Sequence, residues 1–361
     1  MSTDTRREFL GRSLAAAAGA VILPRVGRTF SPAAREAVLE VPEDGYPLID
    51  VKGSHRDIGM QIGSAMGERI TGHLELSPDY RSSVEFLEGE GRETVEKMLA
   101  HARREFPHLV EEVEGMADAL DIPFERLFAF QCRAEISVLK DAAGCSTIAL
   151  CDGDRMILAH NEDGNDLNIG GMFLVKATPP SGVTFLSFVY PGLLPGNGPS
   201  MNEAGLVQTT NYIQPRGVAD GIPRYIIGRA ILEAKSLDDA VALATMTPRA
   251  FSYHHNLAWF PDRRIVSVEV AAYPQHKHSI KNVEWLYVHT NHFIHPDMTS
   301  TDTAGPKPYD VPYGRPYSPC RHPEGDVHGV TLGTAVFEAP ARAMTLYHGN
   351  PCRGFRREYA I

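Results

Sequence analysis

The stretch Asp141-Ala-Ala-Gly-Cys-Ser-Thr-Ile-Ala-Leu-Cys-Asp-Gly-Asp-Arg-Met-Ile-Leu-Ala-His-Asn-Glu-Asp-Gly164 organises the rest of this chain. It predicts a β-hairpin, because an apolar and β-branched run at 146–151 precedes Asp152-Gly153, a pair that favours two-residue hairpin turns. Residues 155–160 return as the second strand. The stretch therefore predicts local β-structure around a tight turn.

The ends of this hairpin carry reactive side chains. Cys145 lies where the first strand begins, and Asn161, Glu162 and Asp163 lie where the second strand ends. Because the two ends of a hairpin are neighbours in space, we expect a thiol close to an amide and two carboxylates.

Composition excludes some classes of partner. The chain has 361 residues, 43% hydrophobic and 22% charged, which is typical of a soluble globular protein. Its formal net charge is −10, and no stretch concentrates basic residues. Because such a surface repels polyanions, we expect a small-molecule substrate and no nucleic-acid partner.

The first residues differ from the rest. Arg6-Arg7 precede an uncharged, Ala-rich run at 13–23, and small residues follow at 31–34. This pattern predicts a twin-arginine signal peptide over residues 1–34, the alternative being a disordered basic tail. The run is too short to span a bilayer of about 30 Å. We expect a periplasmic or secreted protein that keeps no integral membrane segment after signal removal.

The chain has an odd number of cysteines. In an exported protein, an odd count leaves at least one thiol free, which fits a reactive Cys145 with up to two disulfides among the others. Which of these pair is left open. The five are Cys132, Cys145, Cys151, Cys320 and Cys352.

The order of patterns predicts the fold class. Residues 55–140 show mostly helical periodicity, and the hairpin begins a β-rich part that contains two helices at 224–234 and 236–245. A Pro- and Gly-rich segment at 297–326 predicts a long loop. This order predicts an α+β protein with two antiparallel sheets between helical layers, an αββα sandwich, in a single domain over 35–361.

Cys145 follows Gly144 directly, and this placement predicts a nucleophile made by self-cleavage. Attack of the thiol on the Gly144 carbonyl gives a thioester that water hydrolyses, which leaves Cys145 as a new N-terminus. Its α-amino group, with an ordinary pKa of about 7.7–8.0, can then act as general base to its own thiol. No Gly-rich phosphate loop and no G-x-S-x-G elbow occurs in the sequence.

An ordered set of motifs resembles the acyl-coenzyme A:6-aminopenicillanic acid acyltransferase family, the C45 group of N-terminal-nucleophile (Ntn) hydrolases. The motifs are Gly144-Cys145-Ser146-Thr147, Asn161-Glu162-Asp163, Asn202-Glu203-Ala204-Gly205-Leu206 and Thr290-Asn291-His292-Phe293. The resemblance implies an Ntn-type αββα sandwich and cleavage between Gly144 and Cys145. It also implies that fragments 35–144 and 145–361 remain associated.

The resemblance also implies roles for single residues. Asp163 would hold the new N-terminus, Asn256 would match the family's oxyanion-hole asparagine, and Asn161 and His292 are further candidates. No cofactor or metal is implied. The family's Ser-x-x-Arg stretch after Asn-His-Phe has no match here, and Arg315 and Arg321 are uncertain substitutes.

Two other functions remain open at this point. His289, His292 and His295 form an H-x-x-H-x-x-H pattern that could bind a metal in a metal-dependent hydrolase, although the H-E-x-x-H helix is absent. A non-catalytic binding protein is the third hypothesis, in which Cys145 is a buried structural thiol and Asp163 a turn carboxylate.

Overall fold

The helices form where the sequence predicts helical periodicity. This computed structural model describes residues 41–136, 144–153, 155–213, 217–301, 320–322, 329–339 and 342–361. The predicted signal peptide and Arg315 lie outside these residues. The described helices are α1 His55–Leu76, α2 Pro78–Glu88, α3 Arg92–Glu105, α4 Pro107–Leu120, α5 Phe124–Gln131, α6 Arg133–Ile136, α7 Arg224–Ile231 and α8 Leu237–Thr245. None of these helices combines the length and apolar character that crossing a bilayer requires.

Local signals decide where several helices begin and end. Ser236 caps α8, accepting a hydrogen bond from the Asp239 amide at 3.0 Å. Within the part of the chain that the sequence predicts to be mostly helical, Gly89 and Gly91 separate α2 from α3. A side chain at Gly91 would place its Cβ 2.1 Å from the ring of Phe86, so the chain turns there against that ring.

The strands form two sheets. The eight-stranded sheet has the order β1-β4-β5-β6-β7-β8-β9-β10, and the six-stranded sheet has the order β11-β2-β3-β12-β13-β14. The strands are β1 Leu48–Lys52, β2 Ser146–Asp152, β3 Arg155–Asn165, β4 Phe173–Thr178, β5 Phe185–Val189, β6 Ser200–Asn202, β7 Leu206–Asn211, β8 Tyr253–Trp259, β9 Arg264–Ala271, β10 Lys277–Asn282, β11 Leu286–His289, β12 Gly329–Glu338, β13 Ala343–His348 and β14 Arg356–Ala360. The α+β class with two sheets and helices is confirmed.

Pairing within the sheets is mostly antiparallel, as predicted. Among the described strands the exception is β1, which runs parallel to β4. The predicted hairpin is confirmed: β2 pairs with β3 in a register that opposes Asp152 to Arg155 and Ser146 to Asn161. The two-residue turn that follows Asp152 thus sets the position of every residue along both strands.

The two sheets pack face to face, and α1 and α8 pack on the eight-stranded sheet through β1, β8 and β9. On the outer face of the six-stranded sheet, Ile148, Leu286 and Val288 are each about half exposed. That face is apolar and only partly covered by the described residues.

A buried ion pair ties the N-terminal helices to the later part of the chain. Arg229 of α7 is fully buried, and its guanidinium donates to both carboxylate oxygens of Glu112 in α4, at 3.0 and 2.9 Å. It also donates to Glu233 at 3.0 Å and lies 4.4 Å from the ring of Phe185. The Arg229 side chain therefore joins α7 to α4 through a residue 117 positions earlier in the chain.

Acid should destabilise the protein through His73 at the end of α1. Burial, and then the charge of Arg133, lowers the pKa of His73 to about 4, and its Nδ1 donates to the Leu167 carbonyl at 3.2 Å. His73 binds a proton near pH 6.5 in the unfolded chain but only near pH 4 in the folded chain. Its contribution to the free energy of unfolding is therefore fully present above pH 6.5 and is lost as the pH falls from 6.5 to 4. We expect a loss of up to about 3 kcal/mol from this residue.

The variant His73→Gln tests this loss, because glutamine retains a donor without titrating. Urea unfolding at pH 6.5, 5.5 and 4.5 should show a shallower fall in stability for His73→Gln than for the parent chain. His278→Gln, at an exposed position of β10, is the matched control. Equal pH slopes in all three proteins would contradict the assignment.

Candidate active site

Cys145 lies immediately before β2 and is buried, with 6% of its surface exposed. Its thiol lies 3.7 Å from Glu162 Oε1, to which it donates, and 3.8 Å from the backbone carbonyl oxygen of Asp163. The structure thus places the thiol beside the polar end of β3. The hairpin turn is the local cause, because its register carries Cys145 opposite Glu162.

Strand alternation separates the residues of the Asn161-Glu162-Asp163 cluster. Successive side chains point to opposite faces of a strand. Glu162 therefore points inward to the thiol, whereas Asn161 points outward. The Asn161 amide donates to Ser146 Oγ at 3.3 Å and its oxygen accepts from Thr334 Oγ1 at 2.6 Å. Asn161 therefore lies away from Cys145.

Glu162 is held by residues that the sequence did not identify. Tyr190 donates its hydroxyl to Glu162 Oε1 at 2.5 Å, the same oxygen that the thiol contacts. His160 Nε2 lies 3.3 Å from Glu162 Oε2, and Thr147 Oγ1 lies 2.7 Å from His160 Nδ1. Burial, and then the Glu162 charge, raises the pKa of Tyr190, so this phenol remains a donor. The carboxylate is fixed in position from both of its oxygens.

Asp163 follows Glu162 on β3 and is also buried. Thr331 Oγ1 donates to its Oδ1 at 2.7 Å, and Arg321 Nε lies 3.2 Å from its Oδ2. Arg321 pairs with this oxygen by charge but without hydrogen-bond geometry, so Oδ2 accepts no hydrogen bond among the described residues. Burial raises the pKa of Asp163, and Arg321 and Thr331 oppose that rise. Of the two arginines considered from the sequence, Arg321 lies beside Asp163, and Arg315 lies outside the described residues.

The thiol itself is neutral in the intact chain. Burial, followed by the negative charges of Glu162 and Asp163, raises the pKa of Cys145. Two nearby carboxylates disfavour a thiolate, and they favour any cation that forms in their place. The environment therefore suits a positive charge beside Cys145.

Asn256 lies on β8, at the interface between the two sheets. Its side-chain amide lies 3.1 Å from Thr147 Oγ1 and 2.9 Å from Asn211 Oδ1. Thr147 is two residues along β2 from the nucleophile candidate, so Asn256 contacts the strand that carries Cys145. The Asn211 Nδ2 has no partner among the described residues, and it is a spare buried donor in the same network. The oxyanion-hole role of Asn256 stays a prediction.

Gly144 lies against the Asn-His-Phe motif. A Cβ at Gly144 would lie 1.8 Å from Asn291 Oδ1, so no larger residue fits there without displacing Asn291. Asn291 is held in turn, donating to the Tyr212 carbonyl at 2.7 Å. His292, the next residue, is partly buried. Two motifs far apart in the sequence thus meet at the Gly144–Cys145 bond.

The histidine pattern does not form a metal site among the described residues. His289 lies 3.2 Å from Glu269 Oε1 and stacks on His254 at 3.4 Å, whereas His295 Nε2 lies 2.9 Å from Ser267 Oγ. Groups of converging ligands occur elsewhere in the described chain, at Cys145, His160 and Glu162 and at Cys320, His322 and Cys352. The alternative of a metal bound by His289, His292 and His295 therefore finds no support among the described residues.

An open surface groove of about 740 Å³ lies between β1 and α1, lined by residues such as Asp50, Met60 and Gln61. None of the residues around Cys145 lines it. We place the candidate site at the buried thiol, because that is where nucleophile and carboxylates meet.

Comparison with known proteins shows which enzymes this chain is similar to. The model of the family acyl-coenzyme A:6-aminopenicillanic acid acyl-transferase matches residues 151–306. The chain is 27% identical to the beta-alanyl-dopamine/carcinine hydrolase of Drosophila melanogaster, in a match that covers 84% of this chain and 93% of that protein. A solved structure, the Caenorhabditis elegans ortholog of N-acylethanolamine-hydrolyzing acid amidase, is similar with a TM-score of 0.36 and 13% identity. That match covers 54% of this chain and 92% of the solved one.

The family match begins shortly after Cys145 and includes Asp163 and Asn256, and the similarity to the fly enzyme extends over most of the chain. The resemblance inferred from the ordered motifs is therefore confirmed. The chain resembles the acyl-coenzyme A:6-aminopenicillanic acid acyltransferase family, and it is an enzyme of the amidohydrolase and acyltransferase type.

Proposed function

We propose that this chain is a self-processing cysteine amidohydrolase, with Cys145 as nucleophile after cleavage of the Gly144–Cys145 bond. One observation carries the proposal: the neutral, buried thiol contacts the Glu162 carboxylate and the Asp163 backbone carbonyl, and Asp163 Oδ2 accepts no hydrogen bond among the described residues. An α-ammonium group at Cys145 would supply both the missing donor and a positive charge.

Self-cleavage needs only the chain and one water molecule. Cys145 Sγ forms a bond to the Gly144 carbonyl carbon while the Gly144–Cys145 C–N bond breaks, and the thiol proton passes to the departing amine. Water then attacks the thioester, which gives a Gly144 carboxylate, a free thiol and an α-amino group on Cys145. No oxidant, metal or cofactor enters this balance.

Turnover repeats the same chemistry on a substrate. The α-amino group takes the thiol proton, the sulfur attacks the amide carbonyl, and the proton passes to the departing amine. Water hydrolyses the resulting acyl-enzyme. Transfer to a second amine would use the same intermediate, but coenzyme A thioesters are scarce in the exported compartment that residues 1–34 predict. We therefore favour hydrolysis.

The proposed substrates are amides of short acyl groups that carry a positive charge. The fly relative is named for β-alanyl-dopamine and carcinine. A β-alanyl group bears an ammonium, which the carboxylates of Glu162 and Asp163 would attract. The formal charge of −10 favours the same class.

The fragments 35–144 and 145–361 would stay together after cleavage. β1 belongs to the first fragment and pairs along its whole length with β4 of the second. Glu112 of the first fragment is paired with Arg229 of the second. Separation would expose a sheet edge and leave a buried charge without its partner.

The direct test is the covalent state of the purified protein. Gel electrophoresis and N-terminal sequencing should find a fragment that begins at Cys145. β-Alanyl-dopamine and carcinine should be hydrolysed by this material. An intact chain that hydrolyses these amides would rule out self-processing, and a cleaved chain without amidase activity would rule out the substrate class.

Gly144→Ala should slow self-cleavage by roughly 10²-fold, because a displacement on the order of 1 Å at reacting atoms has this effect. The added methyl group would lie 1.8 Å from Asn291 Oδ1 and would move the scissile carbonyl. The rate is measured as the loss of full-length chain after translation. Gly67→Ala is the control, because its Cβ would meet Leu120 at an ordinary 3.9 Å. Cleavage of Gly144→Ala at the parental rate would contradict this expectation.

A further inference from the structure

A second group of converging side chains lies outside the site described above. His322 Nε2 lies 3.2 Å from Cys352 Sγ and 3.6 Å from Cys320 Sγ. The ligand atoms of all three residues lie within 4.8 Å of one another. Neither cysteine forms a disulfide in this structure, His322 is buried and Cys352 is exposed. One ring nitrogen thus faces two sulfur atoms.

These separations match the ligands of a tetrahedral zinc ion. Zn–S bonds of about 2.3 Å and Zn–N bonds of about 2.0–2.1 Å place sulfur and nitrogen about 3.6 Å apart at a tetrahedral angle. The two observed S···N distances, 3.6 and 3.2 Å, lie at or slightly below this value. A single imidazole nitrogen has one lone pair and cannot bond well to two thiols, whereas a central ion satisfies all three groups.

We propose that Cys320, His322 and Cys352 bind a zinc ion through two thiolates and one imidazole, with a fourth position open to water on the exposed side of Cys352. Binding releases the two thiol protons to solvent. Asn350 supports the site, because its Nδ2 lies 3.5 Å from Cys320 Sγ and also donates to the Arg321 carbonyl. A donor to a ligand sulfur stabilises its thiolate and orients it.

The local backbone also suits a ligand site. Cys352 lies in a short 3₁₀ turn, Pro351–Arg353, that joins β13 to β14 and ends at Gly354, whose φ is 76°. A left-handed residue of this kind favours glycine. The turn brings Cys352 to a segment thirty residues earlier in the chain, which carries the other two ligands.

Zinc binding here would fix a residue of the active site. Arg321 lies between the ligands Cys320 and His322, its amide donates to Thr331 Oγ1 at 2.9 Å, and its side chain lies beside Asp163. A bound ion would anchor the segment on both sides of Arg321. The site is thus structural, and it would hold the cation that partly balances Asp163.

A Cys320–Cys352 disulfide is the competing state of these thiols. It would bring the sulfurs to about 2.05 Å and consume both thiols, which could then not bind an ion. The ring nitrogen facing both sulfurs favours the metal.

The test is metal content and zinc affinity of the full chain. Protein purified under reducing conditions is loaded with zinc, desalted and analysed by elemental mass spectrometry, and we expect about one zinc ion per chain. Competition with a chromophoric chelator gives the affinity. Cobalt in place of zinc should add a thiolate-to-cobalt charge-transfer band in the near ultraviolet.

Variants assign the ligands. Cys352→Ser and His322→Gln should each weaken zinc binding by at least about tenfold and reduce the charge-transfer band. Cys151→Ser, which removes a thiol outside the group, should leave both unchanged. Cys352 is exposed, so its serine variant should fold, and circular dichroism checks this point.

Three results would overturn the proposal: no zinc in the reduced, loaded protein, unchanged affinity in both ligand variants, or a Cys320–Cys352 disulfide that zinc and reductant do not displace. The titration is repeated on Cys145→Ala, a chain that cannot self-process by the proposed route. Zinc binding and self-cleavage are thereby tested independently.

Discussion

Cys145→Ala should remain a single chain and lose amide hydrolysis, with kcat/KM falling by at least about 10³-fold, because removal of a catalytic nucleophile leaves only binding and oxyanion contributions. The substitution deletes the thiol that contacts Glu162 at 3.7 Å, and it adds no steric bulk. Gel electrophoresis reports the chain length, and mass spectrometry of released dopamine or histamine reports the activity.

Cys151→Ala is the matched control for this variant. Cys151 is another thiol on β2 and lies on the same face of the strand as Cys145, but its register partner is Met156. We expect cleavage and activity as in the parent chain. If Cys145→Ala retained hydrolysis, the nucleophile would have to be another residue. Equal losses of activity in the two variants would indicate a general defect in folding.

Arg229→Ala should have the largest effect on stability, a loss of about 3–5 kcal/mol, because it removes the guanidinium from the buried carboxylate of Glu112 and leaves only the His55 ring, 3.1 Å away, beside it. Arg229 and Glu112 are both fully buried, and two hydrogen bonds join them. Urea unfolding with analysis of midpoint and slope measures the loss.

Two further variants show that burial is the cause. Arg126→Ala removes an exposed partner of Glu88 and should cost at most about 1 kcal/mol. The double variant Arg229→Met with Glu112→Leu removes both buried charges together and should recover most of the loss. If Arg229→Ala cost no more than Arg126→Ala, the buried pair would not be what holds α4 to α7.

Much of the fold follows from local sequence. The helical segment, the hairpin and the N-cap at Ser236 all depend on contacts between residues a few positions apart. The sequence interpretation missed β6, β10 and β14. β6 has only three residues, and β10 and β14 are rich in charged and polar side chains, so none has the apolar pattern that predicts a strand.

The pairing of Cys145 with Glu162 could have been predicted from the sequence and was missed. The two-residue turn opposes Asp152 to Arg155, so counting back along both strands opposes Cys145 to Glu162. The same count points Asn161 to the other face. The cluster Asn161-Glu162-Asp163 was treated as a unit, although period-two alternation already separates its members.

Other contacts had no local signal. Tyr190 and Arg321 reach the site from 45 and 176 residues after the nucleophile candidate, and Asn291 reaches Gly144 from the loop after β11. The apolar pattern of β11 suits either sheet, so nothing local predicts its pairing with β2 in the six-stranded sheet. Sheet membership depends on pairing between distant segments.

Turn chemistry and strand alternation act between neighbouring residues, and for this reason the order of residues alone was enough to place a thiol beside carboxylates. The electrostatic state of that thiol depends on burial between two sheets, on Tyr190 holding Glu162, and on Arg321 meeting Asp163. These are contacts between remote segments, and they form only when the chain packs. The hairpin could thus be inferred from the printed sequence, whereas the neutral thiol, the unfilled acceptor on Asp163 and the meeting of Cys320, His322 and Cys352 required the folded chain.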